Sequence, residues 1–185
     1  MSDITLLRHG TVDIKNYNSI SANDFGDWIH EYNTSNIHSE LPNKDEVFNI
    51  LDSADIILCS KLKRSVDSIL LFDKRATYIN ELFNEVELPY FSWNLIRLKP
   101  STWLIIFRIL WFLGYSKNVE SYSKAKNRAK LATKMLIDLS RNGKSVTLMG
   151  HGLMNRLIIK ELLASNYNKI RSTGSKNWSY SVLRR

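Results

Sequence analysis

Short apolar segments that alternate with helical patterns constrain the fold of this 185-residue chain more than any other feature of its sequence. Segments with the composition of buried strands occur at residues 4–7, 56–59, 77–79 and 146–149, with a fifth candidate at 178–183. Strands that are apolar on both faces are typical of a mostly parallel sheet covered by helices on each side. We therefore predict an α/β fold, a three-layer α/β/α sandwich with a mostly parallel sheet.

Five helices are predicted within this alternation. Their ranges are residues 21–32, starting at a serine cap, 44–51, after Pro42 and Asn43, 62–72, about 121–142, and 153–164. The longest helix has Ser121 as its N-cap and carries one apolar face at steps of three and four residues. We expect it to end near Asn142 and Gly143.

Composition narrows the class of protein. With 44% hydrophobic and 24% charged residues the chain is normally globular, and its length fits one domain, which we place over residues 1–185. The single cysteine, Cys59, excludes an internal disulfide framework and suits a reducing compartment. Because the first residues lack the pattern of a signal peptide, we expect a cytoplasmic protein.

The formal charge of +8 is unevenly distributed along the chain. Residues 1–113 contain 11 basic and 15 acidic side chains, whereas residues 114–185 contain 15 and 3, which gives net charges of −4 and +12. Such a basic half can attract anionic substrates or nucleic acid. We interpret it as a solvated basic face and do not expect nucleic acid as a partner.

The most apolar segment is WLIIFRILWFL, residues 103–113. It contains Arg108 and is well short of the roughly 20 residues that span a bilayer. We predict a buried helix or a lid helix, with an interfacial membrane anchor as the alternative and no stable membrane insertion. An exposed face of this segment would be a natural surface for a homodimer.

Polar side chains follow the predicted strands where each strand ends. They are Arg8, His9, Ser60, Arg64, His151 and the carboxylates of the acidic loop at residues 80–89. In open α/β sheets, ligands bind beyond the carboxyl ends of the parallel strands. We therefore expect these side chains to converge at one edge of the sheet.

These residue types suit the transfer of a phosphoryl group. A neutral imidazole such as that of His9 can attack phosphorus, which divides one difficult step into two easier ones. Arg8, Arg64 and His151 can bind the phosphoryl oxygens. A glutamate of residues 81–87 can protonate the leaving oxygen.

Structural explanations of the same residues are also possible. Two histidines at strand ends can have purely structural roles, and Arg64 can pair with Asp67 at the start of a helix. A zinc site needs a third ligand at a suitable spacing, which the sequence does not offer beside these histidines. We therefore predict no metal and no cofactor.

Four segments, in chain order, resemble motifs of the histidine phosphatase superfamily, the phosphoglycerate-mutase-like proteins with an RHG motif. They are LLRHG at residues 6–10, ILCSKLKRS at 57–65, LFNEVELP at 82–89 and VTLMGHG at 146–152. Three positions depart from the family pattern, which often has Glu or Gln at Thr11, Pro at Lys61 and Ala at Ser65. None of these departures removes a group that would contact phosphate.

The resemblance implies a phosphoglycerate-mutase-like fold with a small helical cap, which we place over residues 90–122. It also implies that His9 becomes phosphorylated, that Arg8 and Arg64 bind phosphate, and that His151 stabilises the transferring group.

The resemblance also implies a carboxylate that acts as acid and base in the acidic loop. Glu85 best fits the position of the family's acid and base, and Glu81 and Glu87 are the alternatives. Ser60 is either a secondary phosphate contact or only the cap of the following helix.

The resulting expectation is a metal-independent phosphatase that hydrolyses a small phosphate monoester through a phosphohistidine. The alternatives are a phosphoglycerate-type mutase and a non-catalytic protein that binds phosphate or nucleic acid in the same region. The sequence does not identify the natural substrate.

Overall fold

A six-stranded sheet forms the centre of the computed structural model, which describes residues 3–40 and 44–185. Its strands are β1 (Asp3–Arg8), β3 (Ile56–Cys59), β4 (Tyr78–Ile79), β6 (Val146–Gly150), β7 (Asn168–Ser172) and β8 (Tyr180–Arg184). A separate two-stranded sheet pairs β2 (Ile20–Ser21) with β5 (Arg97–Leu98). Pro42 and Asn43, after which one helix was predicted, lie outside the described residues.

The strands of the large sheet follow the order β4-β3-β6-β1-β8-β7. Strands β4, β3, β6 and β1 are parallel, whereas β8 is antiparallel to both β1 and β7. The predicted α/β class with a mostly parallel sheet is confirmed. The four clear strand predictions all lie in the parallel part.

Six helices flank the sheet in the described part of the chain. They are α1 (Phe25–Thr34), α2 (Lys44–Asp52), α3 (Lys63–Leu70), α4 (Pro100–Phe112), α5 (Tyr122–Leu139) and α6 (Gly152–Ala164), with single 3₁₀ turns at Glu81–Phe83 and Arg141–Gly143.

Successive strand residues point to opposite faces of the sheet, and each face has its own core. On one face, Leu6, Leu58 and Leu148 pack against α5 and α6. On the other face, Leu7 and Met149 pack against α2 and α3. This two-sided burial is the physical reason why the parallel strands are almost entirely apolar.

Helices α1 and α4 form a third apolar cluster together with the small β2–β5 sheet. Its buried aromatic residues are Phe25, Trp28, Trp103 and Phe107. The apolar segment at residues 103–113 is therefore helical with one buried face, while Ile105 and Ile109 lie on its exposed face. None of the described helices is both long and apolar enough to cross a membrane.

Two element boundaries differ from the sequence predictions. Helix α1 begins at Phe25 instead of residue 21, because Ser21 belongs to β2 and its hydroxyl donates to the Asp24 carboxylate at 2.8 Å. The last strand begins at Tyr180 instead of residue 178, because Trp178 has a left-handed φ of 63° that interrupts extended backbone. The predicted Ser121 cap is confirmed, since its Oγ accepts from the Lys124 N–H at 3.3 Å.

Within the large sheet, β7 is the strand that the sequence analysis missed. All five of its residues are exposed, so the segment carries no apolar alternation to mark it as a strand. Because β7 lies next to β8, the loop between them lies near the end of β1. This loop contributes a residue to the candidate site.

Candidate active site

A cavity of about 280 Å³ lies at the carboxyl ends of the parallel strands. Arg8 is the last residue of β1 and His9 follows it directly, while Arg64 lies in the first turn of α3. Together with Glu85, from the loop after β4, these side chains line the cavity. The structure therefore brings together residues that are far apart in the sequence, as the positions of the strand ends predicted.

His9 is buried, with 2% of its surface exposed. Its Nδ1 lies 2.7 Å from the carbonyl oxygen of Gly10. Because a carbonyl can only accept a hydrogen bond, Nδ1 carries the proton, and Nε2 keeps a free lone pair. Burial and then the positive charge of Arg64 lower the pKa of His9 to about 3, although the bond to Gly10 opposes this shift. The imidazole is thus neutral near pH 7 and chemically suited to act as a nucleophile.

The β7–β8 loop holds the backbone around His9. Asn177 Nδ2 donates hydrogen bonds to the carbonyl oxygens of His9, at 2.9 Å, and of Gly10, at 3.0 Å. Trp178 packs so closely on Gly10 that a Cβ there would lie 2.3 Å from the indole ring. No local pattern marked Asn177 as part of the site, because it reaches His9 from a position 168 residues later in the chain.

His151 is fully buried beside His9, with 5.1 Å between the two ring centroids. Its Nε2 is hydrogen-bonded to Ser60 Oγ at 2.7 Å, while its buried Nδ1 has no partner among the described residues. Burial, followed by the charge of Arg64, lowers the pKa of His151 well below its ordinary value. Ser60 also accepts from the Leu62 N–H at 3.2 Å. The serine therefore contacts the second histidine and the backbone just before α3.

Arg64 is 4% exposed and is held on two sides. Its Nη1 donates to Asn33 Oδ1 at 2.6 Å, and its guanidinium lies 5.1 Å from the centroid of the Tyr32 ring. The predicted alternative, a pair with Asp67, is not formed, because Lys63 takes that carboxylate instead. The Nε of Arg64 is buried and has no partner in the described part of the protein.

Arg8 approaches the first turn of α6. Its Nη1 donates to the Ser175 carbonyl at 2.6 Å, and its buried Nε has no partner within the described ranges. A Cβ at Gly152 would lie 3.5 Å from Arg8 Cζ and 3.6 Å from Glu85 Oε2. Arg8 and Glu85 thus both lie close to the N-terminus of α6.

Glu85 is bound by three backbone N–H groups. Its Oε1 accepts from Val86 and Met154, both at 3.0 Å, and its Oε2 accepts from Leu153 at 3.1 Å. Two of these donors belong to the first turn of α6, where the helix dipole favours a negative charge. Glu85 therefore joins the loop after β4 to the start of α6 while it lines the cavity.

The two alternative glutamates have different surroundings. Glu81 is exposed, pairs with Lys61 Nζ at 2.9 Å and does not line the cavity. Glu87 lines the cavity, although its side chain is exposed. Glu81 therefore lies outside the cavity. Glu85 and Glu87 line it and are the two candidates for the acid.

Two arginines near the site were not predicted as site residues. Arg128 of α5 donates to the carbonyl oxygens of Leu82, at 2.9 Å, and Asn84, at 2.7 Å, and so anchors the chain just before Glu85. Arg108 of α4 lines the cavity, and its buried Nε has no partner among residues 3–40 and 44–185. One feature of the sequence could have marked Arg108 as a site residue. It is the single charged residue in the apolar segment at residues 103–113.

The described residues include no group of three or more His, Cys, Asp or Glu side chains arranged to hold a metal ion. The donors around the cavity are instead guanidinium, imidazole and backbone N–H groups, which is a set that suits an anion.

A family model matches most of this chain. The model of the histidine phosphatase superfamily (branch 1) covers residues 50–185, a range that contains Arg64, Glu85 and His151 but not His9. No curated protein matches the sequence of the chain.

Several solved structures share the fold. The product of the open reading frame Rv3214 from Mycobacterium tuberculosis has a TM-score of 0.64 at 16% identity, over 98% of this chain and 90% of that one. A phosphoserine phosphatase mutant from Entamoeba histolytica, in complex with phosphoserine, has a TM-score of 0.55 at 16% identity, over 98% and 90%. The mycobacterial glucosyl-3-phosphoglycerate phosphatase has a TM-score of 0.54 at 14% identity, over 88% and 80%.

Proposed function

Because this chain belongs to the histidine phosphatase superfamily, we propose that it hydrolyses a phosphate monoester through a phosphohistidine formed on His9. The observation that carries this proposal is the state of the His9 ring. Its Nδ1 proton is held by the Gly10 carbonyl, which leaves Nε2 as an unprotonated nucleophile beside a cationic cavity.

The first chemical step forms a bond between His9 Nε2 and phosphorus while the bond from phosphorus to the ester oxygen breaks. The protonated Glu85 carboxyl gives its proton to the leaving oxygen, which departs as an alcohol. In the second step, water attacks phosphorus while the bond from phosphorus to His9 Nε2 breaks, Glu85 takes a proton from that water, and inorganic phosphate is released.

Three groups hold the phosphoryl oxygens in this scheme. The unpartnered Nε–H groups of Arg8 and Arg64 supply charged donors, and a phosphate would satisfy both of them. If Ser60 donates its hydroxyl proton to His151 Nε2, the unpartnered Nδ1 carries a proton and becomes the third donor. The role of Ser60 is then to fix the tautomer of His151.

Two of the similar structures are themselves named as phosphatases, of phosphoserine and of glucosyl-3-phosphoglycerate. This supports hydrolysis over transfer to a second acceptor.

Hydrolysis of para-nitrophenyl phosphate tests the proposal. We expect the wild-type protein to release inorganic phosphate with or without EDTA, and the His9→Ala variant to lose roughly 10³-fold or more in kcat. The matched control is His30→Ala, since His30 is an exposed residue outside the cavity. Acid-labile phosphorylation of the wild type, absent from His9→Ala, would identify the intermediate. Unchanged turnover in His9→Ala would overturn the mechanism.

A further inference from the structure

Arg108 is the one cavity-lining arginine to which the proposed phosphoryl transfer assigns no role. It lies one helical turn after Leu104 on α4, and both side chains face the cavity. The neighbouring Phe107 is buried in the third apolar cluster, whereas Ile109 is exposed. Helix α4 thus presents an otherwise apolar wall to the cavity, with a single guanidinium in it.

Arg108 shares an unusual property with Arg8 and Arg64. Each of these three arginines lines the cavity, and each has a buried Nε that lacks a hydrogen-bond partner in the described ranges. Buried donors are nearly always satisfied in folded proteins, so three such groups around one cavity indicate that a ligand satisfies them. One phosphoryl group accounts for Arg8 and Arg64.

Arg108 enters the cavity from a different element than these two arginines. Burial and then the charges of Arg64 and Arg8 lower the pKa of His9. The charges that act on Arg108 are those of Glu85, Arg156 and Arg8. Arg108 therefore lines the α4 side of the cavity, whereas Arg8 and Arg64 line it from the end of β1 and the first turn of α3.

No carboxylate of the described residues forms an ion pair with Arg108. The carboxylate whose charge acts on Arg108 is that of Glu85. Backbone N–H groups already bind both oxygens of this carboxylate. A half-buried guanidinium with no protein anion is costly unless a ligand supplies the charge.

We propose that the substrate carries a carboxylate as a second anionic group, and that Arg108 binds this carboxylate while Arg8 and Arg64 hold the phosphate to be transferred. This inference rests on the proposed function, because it assumes that a phosphate ester occupies the cavity. The cavity of about 280 Å³ is near the lower end of ligand pockets, which favours a small substrate. Trp28, Tyr90 and Leu88 provide apolar wall for its carbon skeleton.

Matched pairs of phosphate esters test the assignment. Each pair combines an ω-phosphonooxy carboxylate of two, three or four carbons with the diol monophosphate in which a hydroxymethyl group replaces the carboxylate. We expect wild-type kcat/KM to favour the best-fitting carboxylate over its partner by roughly 10- to 100-fold, as for a hydrogen bond to a charged group. Arg108→Met should reduce this ratio to about one, and Arg108→Lys should retain part of it.

Lys99→Met is the matched control, because Lys99 is exposed, precedes the same helix and does not line the cavity. It should leave the ratio unchanged. A wild-type ratio near one at every chain length, or an unchanged ratio in Arg108→Met, would overturn the inference. Equal slowing of both members of each pair by Arg108→Met would also overturn it, since that result assigns Arg108 to Glu85 or to packing.

Calorimetric binding of the same pairs separates this inference from the proposed function. A carboxylate preference in binding that depends on Arg108 would support the Arg108 site even if His9→Ala showed that turnover does not use His9. Binding without such a preference would reject the Arg108 site whatever the chemistry.

Discussion

His9 and His151 lie side by side, but their hydrogen bonds give them different capacities. The Gly10 carbonyl holds the Nδ1 proton of His9, whereas Ser60 contacts Nε2 of His151. The free nitrogen is therefore Nε2 in the first ring and Nδ1 in the second. At the scale of single residues, the proposed roles of nucleophile for His9 and oxygen-binding group for His151 follow from which ring nitrogen the protein occupies.

Asn177 is a positioning residue for His9, because it binds the backbone carbonyl of His9 and the Gly10 carbonyl that accepts from the ring. We predict that Asn177→Ala lowers the single-turnover rate of phosphohistidine formation roughly 10-fold, with little change in KM. Asn168→Ala is the control, since Asn168 is an exposed amide on the same hairpin. An increase in KM at constant kcat would instead assign Asn177 to substrate binding.

Glu85 connects two elements, the loop after β4 and the N-terminus of α6. The same carboxylate that caps α6 from outside the helix also lines the cavity. Arg128 of α5 fixes the chain before it through the Leu82 and Asn84 carbonyl groups. The position of the proposed acid thus depends on the packing of α5 and α6 and not on the loop alone.

For Glu85→Gln we predict a loss of kcat that depends on the leaving group. An alkyl phosphate should slow by roughly 10²- to 10⁴-fold, whereas para-nitrophenyl phosphate should slow much less, because nitrophenolate leaves without a proton. The amide oxygen can still accept from α6, so the unfolding free energy should fall by about 1 kcal/mol. Glu87→Gln is the comparison, and a leaving-group dependence confined to that variant would move the acid to Glu87.

At the scale of the whole molecule, two neutral histidines are buried in the same region as charged arginines. Burial depresses the pKa of both His9 and His151 in the folded protein, whereas an unfolded histidine titrates near its ordinary value of about 6.5. Below this value the unfolded chain binds more protons than the folded one. Stability must therefore fall as the pH falls from about 6.5 towards 3.

Urea unfolding in phosphate-free buffer at about pH 7.5 and 5.5 measures this linkage. Each histidine should contribute about 1.4 kcal/mol to the loss of unfolding free energy at the lower pH. His9→Gln should reduce the difference between the two pH values by about 1.4 kcal/mol, and His30→Gln is the exposed control, which should leave the difference unchanged. The same pH difference in His9→Gln and wild type would contradict the assignment.

The sequence by itself determined the α/β class and the convergence of Arg8, His9, Arg64 and His151. The physical reason is local. Apolar runs report burial on both faces of a parallel sheet, and residues that directly follow such strands meet at one edge whatever the connections do.

Tertiary structure alone decided three further features. It separated Glu81 from the cavity through its pair with Lys61, it brought Asn177 to His9 through β7, and it turned Arg108 into the cavity. These residues lie on an irregular loop, on a hairpin with an exposed strand, and on a helix that packs against another helix. Their positions follow from long-range packing, for which neither apolar periodicity nor the position of a strand end carries a signal.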